Sequence, residues 1–253
     1  MRYLSSMKRL LILLLSLLIF QVATLAQTDR FNYETFQSKE GTLNYRLLFP
    51  DANDTRKLPL VIFLHGSGER GNDNEAQLKW GAQQFATDEN MKHYPAFVAA
   101  PQCPENQQWA NYNGKFGAEP RKSMKLVRGM IDDIIKNYPI DENRIYITGL
   151  SMGGFGTFDA LARYPDLFAA GVPVCGSGDP NTVNRFKDVP IWIYTGAEDP
   201  VVQADRTALM FNALMDAGAR PGYTQVPEVG HFSWIQAYSD PLLIQWMFRQ
   251  RKN

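Results

Sequence analysis

The heptapeptide TGLSMGG, Thr148 to Gly154, surrounds a single hydroxyl with three glycines directly after an apolar, β-like run. A serine hydroxyl is a weak nucleophile until a base removes its proton, and imidazole, which titrates near neutrality, suits that task. The chain has three histidines. His93, in NMKHYPA, precedes a predicted strand and is expected on the surface. His65 closes VIFLHG and opens a glycine loop, where bracing by hydrogen bonds is the expected role. His231, in EVGHFSW, follows the last predicted strand and is the expected base. An imidazole in that role needs a carboxylate to hold its tautomer and steady the cation that forms. Asp199, after IWIYTGAED, is the first candidate; Asp179 in CGSGDP and the adjacent Glu198 remain open as rivals. Ser151, Asp199 and His231 then follow the chain order Ser…Asp…His.

The spacing Gly149-Leu150-Ser151-Met152-Gly153 matches G-x-S-x-G, a sharp strand-to-helix turn that lifts the serine hydroxyl above a sheet. Larger side chains two residues before and after the serine would collide with neighbouring backbone. A tetrahedral intermediate also needs preorganised N–H donors for its oxyanion. Met152, opening the next helix, is expected to supply one. The other is expected from the His65-Gly66-Ser67-Gly68-Glu69-Arg70-Gly71 loop, with the Ser67 amide first and Gly68 second. Glu69 and Arg70 are expected to pair and stiffen this loop.

The elements that must hold these groups are legible in the hydrophobic pattern. FNYETFQ and LNYRLLFP alternate as two strands joined at Lys39-Glu40-Gly41. LPLVIFLHG, PAFVAAP, RIYITG, AAGVPVCG and VPIWIYTG are apolar without alternation, the mark of parallel strands covered on both faces; YTQVPEVG is a weaker last member. Between them lie helical patterns over 123–138 and 205–217, and a last helix is expected over 234–249. Strand and helix in turn predict a mostly parallel sheet wrapped on both faces, with its chemistry beyond the carboxyl ends of the strands.

Composition narrows the function classes. The chain has 253 residues, 45% of them apolar, and 26 basic residues balance 26 acidic ones. A zero net charge lacks the basic excess of a nucleic-acid binder. Residues 1–26 carry Arg2, Lys8 and Arg9, an apolar run from Leu10 to Phe20, and small residues before a cut at Gln27, the layout of a secretory signal peptide. An uncleaved anchor is the alternative, but the run is shorter than the ~20 residues a span requires. Residues 27–253 then form one catalytic domain, secreted or periplasmic, with no later membrane span. The two cysteines, Cys103 and Cys175, fall on strands three places apart. That is roughly 14 Å, beyond a disulfide's Cα reach of about 7 Å, so buried free thiols are expected. Neither cysteine nor histidine spacing suggests a metal site, and no cofactor is required.

HGSGERG, APQCPENQQW, GLSMGG, GAEDPVV and GHFSW, in this order, resemble the α/β-hydrolase superfamily over roughly residues 30 to 250. Within it they are most similar to small secreted esterases grouped with feruloyl and acetyl-xylan esterases, polyhydroxybutyrate depolymerases and prolyl-oligopeptidase-like catalytic domains. The resemblance implies an eight-stranded sheet and carboxylic-ester hydrolysis through an acyl-serine. It assigns the nucleophile to Ser151, the acid to Asp199, the base to His231 and the oxyanion donors to Ser67 and Met152. A small serine peptidase on the same machinery is the second expectation; the β-propeller usual in that group has no room in this chain. A non-catalytic carbohydrate-binding protein is the third. Trp109, in a polar loop with Gln107, Gln108 and Asn111, and Trp234 are candidate contacts for a small-molecule or carbohydrate ester, with Tyr112 and Phe155 nearby. Trp234 equally suits the core of the last helix. The pattern is silent on oligomeric state.

Overall fold

A computed structural model describes residues 27–51, 56–113 and 115–252, so the signal-peptide segment lies outside the described residues. Eight strands form one sheet in the order β1-β2-β4-β3-β5-β6-β7-β8. β1 (Phe31–Ser38) and β2 (Gly41–Leu48) make an antiparallel hairpin in which Ser38 faces Gly41, whose φ of 127° opens the return strand. β2 pairs antiparallel with β4 (Phe97–Pro101). From there β3 (Leu58–Leu64), β5 (Ile140–Leu150), β6 (Ala170–Val174), β7 (Trp192–Gly196) and β8 (Gly222–Val226) run parallel with β4. This is the expected mostly parallel eight-stranded sheet with its N-terminal hairpin.

The period of two along a strand divides the core between the two faces of the sheet. On β3, Leu60, Ile62 and Leu64 join one apolar layer and Val61 and Phe63 the other. The first layer is covered by α2 (Lys122–Asn137), which buries Met124, Val127, Met130, Ile131 and Ile134 along one stripe, and by α3 (Met152–Arg163). Each such side chain contributes about 1.5–3 kcal/mol when fully buried. The short helix α1 (Asp88–His93) precedes β4, and α4 (Ala204–Asp216) lies between β7 and β8. α4 stops where Gly218 takes a φ of 88°, as the helix-ending glycine there requires.

The last helix differs from expectation. It is two helices, α5 (Trp234–Ser239) and α6 (Pro241–Arg249), parted at Asp240. Proline at 241 disfavours helical geometry in the residue before it, and the Asp240 carboxylate caps the new helix by accepting the Leu242 N–H at 2.9 Å. Cys103 and Cys175 lie just past β4 and β6, three strands apart in the sheet, and both are buried free thiols. Among the described residues no helix is long and apolar enough to cross a membrane.

Candidate active site

β5 ends at Leu150 and α3 begins at Met152, so the whole reversal falls on Ser151, with φ 52° and ψ −114°. That left-handed backbone is costly for a residue with a Cβ and persists only where its surroundings enforce it. Here the Ser151 N–H donates to the Val174 carbonyl on β6 at 2.9 Å, and the Phe155 N–H donates to the Ser151 carbonyl at 3.1 Å to start the helix. The flanking glycines are steric necessities. A Cβ on Gly153 would lie 1.9 Å from the Leu64 carbonyl oxygen, and one on Gly149 2.5 Å from the Gly153 carbonyl oxygen.

His231 opens a short turn after β8 and reaches over the sheet. Its Nε2 lies 2.9 Å from Ser151 Oγ and its Nδ1 2.7 Å from Asp199 Oδ2. A carboxylate only accepts, so Nδ1 carries the proton and Nε2 presents a lone pair to the serine hydroxyl. The Asp199 side chain is fully buried, and its Oδ1 accepts the Val201 and Val202 N–H groups at 2.8 and 2.9 Å. Those bonds fix the carboxylate, which fixes the ring.

The rival acids have other partners. Asp179 accepts the Asn181 N–H and side-chain amide on Oδ1 and the Phe116 N–H on Oδ2. Glu198 is exposed, and Asp205 sits in the first turn of α4. His93 is half exposed beside Glu89 at 3.2 Å. His65 is buried and braces the glycine loop. Its Nε2 accepts the Cys103 N–H at 2.9 Å, so Nδ1 holds the proton and donates to the Gly66 carbonyl at 2.6 Å. Burial pulls its pKa down from 6.5 to about 4.

The loop after β3 turns through a short 3₁₀ helix, Ser67–Glu69, and lies against the elbow: a Cβ on Gly66 would stand 3.7 Å from Ser151 Cβ. Among the described residues the Ser67, Gly68 and Met152 amides donate to no backbone carbonyl. Arg70 does not pair with Glu69. Its guanidinium donates to the Ser67 and Gln107 carbonyls, while Glu69 turns inward, buried, with its pKa raised by burial.

A cleft of about 310 Å³ opens beside the serine, walled by Ser67, Trp80, Ser151, His231, Phe232 and Trp234. Trp234, buried in the core, stands edge-on to the partly buried His231 with centroids 5.3 Å apart, and both line the cleft. Trp109 is a correction. It is 0% exposed, its indole N–H donates to the His65 carbonyl at 3.1 Å, and it packs on Gly156, so it supports the loop from behind instead of meeting a substrate. Tyr112 and Phe155 pack on each other at 5.2 Å outside this cleft wall. Trp80 and Phe232 were not foreseen. Phe232 directly follows His231, a signal available in the sequence; Trp80 arrives through irregular 3₁₀ turns that carry no readable period.

Among the described residues one group has the proximity to hold a metal ion: Cys175, Asp199 and His231, with ligand atoms within 4.8 Å of one another. Both Asp199 oxygens are already committed, so a metal would have to part the acid from the imidazole.

A model of the prolyl oligopeptidase family matches residues 125–191, the stretch that contains the elbow. Poly(3-hydroxyalkanoate) depolymerase C of Paucimonas lemoignei is 33% identical over 125 residues, 47% of this chain and 28% of that protein. The bifunctional acetylxylan esterase/xylanase XynS20E of Neocallimastix patriciarum is 26% identical over 61% of this chain and 21% of that protein. The chain therefore spans less than a third of the length of either curated relative. The crystal structure of a thermostable esterase superposes with a TM-score of 0.85 at 40% identity, over 90% of this chain and 64% of that one. A ferulic acid esterase shares the fold at a TM-score of 0.66 and 20% identity, over 86% of this chain and 96% of that one.

Proposed function

We propose that this chain, which belongs to the α/β-hydrolase superfamily, is a serine hydrolase that cleaves carboxylic esters through an acyl-serine, with residues 27–253 as its catalytic domain. One observation carries the reading: an unbroken line of hydrogen-bond contacts from Ser151 Oγ through the His231 ring to a buried Asp199. His231 Nε2 takes the hydroxyl proton as Oγ attacks the acyl carbonyl carbon. The Ser67 and Met152 amides hold the oxyanion, and Asp199 steadies the imidazolium. The intermediate collapses, the ester C–O bond breaks, and His231 returns the proton to the departing alcohol. Water then enters by the same route, gives its proton to His231 and releases the carboxylic acid. No step calls for a cofactor. The aromatic wall of Trp80, Phe232 and Trp234 suits small-molecule or sugar-linked esters with short acyl or feruloyl groups, in line with what the relatives' names say of those proteins.

The test is Ser151→Ala. It is expected to abolish p-nitrophenyl acetate turnover and fluorophosphonate labelling with an unchanged circular dichroism spectrum. Undiminished turnover by a pure sample ends the reading. The prolyl oligopeptidase match supports a second reading, amide cleavage by the same groups. Peptide and ester substrates compared under one set of conditions separate the two. Export rests on residues 1–26, and mass spectrometry of the exported protein is expected to find Gln27 at its N-terminus.

A further inference from the structure

Three consecutive carbonyls in the turn after β3 each accept a hydrogen bond from a side chain. The Trp109 indole N–H donates to the His65 carbonyl at 3.1 Å, His65 Nδ1 to the Gly66 carbonyl at 2.6 Å, and Arg70 Nε to the Ser67 carbonyl at 2.9 Å. The first two donors are sealed in the core. Arg70 is only partly buried, and the reaction above leaves it without a task. Its Nη1 also donates to the Gln107 carbonyl at 3.4 Å, which ties the turn to the loop after β4 that carries Trp109.

Holding a carbonyl also aims the amide at the other end of the same peptide unit. Among the described residues every peptide bond is trans, and a planar trans peptide points its C=O and its N–H in opposite directions. The Gly66 carbonyl shares its peptide with the Ser67 N–H, and the Ser67 carbonyl shares its own with the Gly68 N–H. Ser67 and Gly68 wall the cleft beside Ser151, and Arg70 does not. A guanidinium that holds the Ser67 carbonyl from outside the cleft therefore turns the Gly68 N–H towards it. Neither the Ser67 nor the Gly68 N–H donates to a backbone carbonyl among the described residues, so both stay available to an oxyanion. We propose that Arg70 is a positioning residue of the oxyanion turn: it clamps the Ser67–Gly68 peptide from behind and presents the Gly68 N–H to the reacting carbonyl beside that of Ser67. Arg70 touches no reacting atom. Its effect acts through donor geometry, which matters most when negative charge develops on the substrate oxygen. The inference deepens the ester-hydrolase reading and rests on it.

Arg70→Met tests it. Methionine keeps an unbranched apolar stem and removes every donor, so the peptide is free to turn. A misplaced oxyanion donor costs up to about 100-fold in rate. Hence kcat is expected to fall about 5- to 50-fold with KM within about threefold, and affinity for a boronic acid transition-state analogue to fall in parallel with kcat. A merely structural role lowers the melting temperature without tying kcat to boronate affinity. A folded Arg70→Met enzyme with kcat within twofold of wild type overturns the proposal. So does a fall in kcat that boronate affinity does not follow. Loss of the positive charge is a separate effect, and salt screens it: the ratio of wild-type to variant kcat is expected to hold between about 0.05 and 0.5 M sodium chloride. Collapse of that ratio to within twofold at the higher salt overturns the clamp. If Arg70→Met does not fold, Arg70→Gln decides: its amide is too short to serve both carbonyls. The same coupled loss is expected, and a kcat within twofold of wild type overturns the proposal. Fluorophosphonate labelling of wild type separates the failures. Unlabelled wild type sinks the serine-hydrolase reading, whereas labelled wild type with an unaffected variant sinks only the role of Arg70.

Discussion

Acid should destabilise this protein in part through one histidine that takes no part in the proposed reaction. His65 is fully buried, and both ring nitrogens are in use: Nδ1 donates to the Gly66 carbonyl and Nε2 accepts the Cys103 N–H. A second proton would go on Nε2 and set one donor against another. Burial is the main cause that holds its pKa at about 4, against 6.5 for a free imidazole. In the unfolded chain the ring takes up a proton as pH falls through 6.5, while in the folded protein it stays neutral until about pH 4. The unfolded state therefore binds more protons across that window, so stability falls as pH falls. At ~1.4 kcal/mol per pH unit per proton, the loss between pH 7 and pH 5 is about 2 kcal/mol, rising to about 3 kcal/mol near pH 4. His65→Gln offers a donor and an acceptor that do not titrate. Its stability at pH 7 is expected to drop by about 1–2 kcal/mol through imperfect replacement of the two hydrogen bonds. Its decline from pH 7 to pH 5 should be shallower than wild type by about 2 kcal/mol. Urea unfolding of both proteins at pH 7, 6 and 5, followed by circular dichroism, reads the difference and cancels the carboxylates common to both. Parallel decline in the two proteins would refute the buried neutral imidazole.

Two further outcomes discriminate within the site. Asp199→Asn should cut kcat by about 10⁴-fold, because the amide no longer holds the His231 tautomer; Asp179→Asn should leave kcat within about twofold and cost about 1 kcal/mol of stability, because an NH₂ replaces the Oδ2 that accepts the Phe116 N–H. Steady-state kinetics checks both, and a larger loss at Asp179 would reassign the acid. Gly153→Ala should unmake the elbow, since its methyl would stand 1.9 Å from the Leu64 carbonyl oxygen. A loss above about 3 kcal/mol, or a folded protein without fluorophosphonate labelling, is expected, and full labelling at unchanged stability would contradict the packing.

Much of the frame could be read from local pattern. Unbroken apolar runs marked the strands because a parallel sheet covered on both faces leaves them no polar side, as β3, β4 and β6 show by being buried along their whole length. The elbow was legible for a similar reason. Gly149 answers to the Gly153 carbonyl four residues on and both glycines to the Leu64 carbonyl on the strand beside them, and the local part of that constraint is written in five consecutive residues. Pro241 was also in plain view, yet the amphipathic pattern on either side of it read as one helix where the backbone makes two.

What lies between elements was another matter. Trp109 sits among glutamines and asparagines in the sequence, yet it is sealed beneath the His65 turn. Trp80 and Phe232 have no periodic signature, yet they wall the cleft. Loop side chains are placed by whatever the sheet brings against them, and those partners are distant in sequence: Trp109 meets a residue 44 positions away, and His231 meets Ser151 from 80 positions away. The sequence by itself determined which side chains could serve as nucleophile, base and acid, because candidates for those roles are a matter of residue type and of position at strand ends. Only the tertiary structure decided which acid the imidazole reaches, which aromatics face the cleft and where Glu69 turns, because those choices are made by burial and by contacts that no short stretch of chain contains.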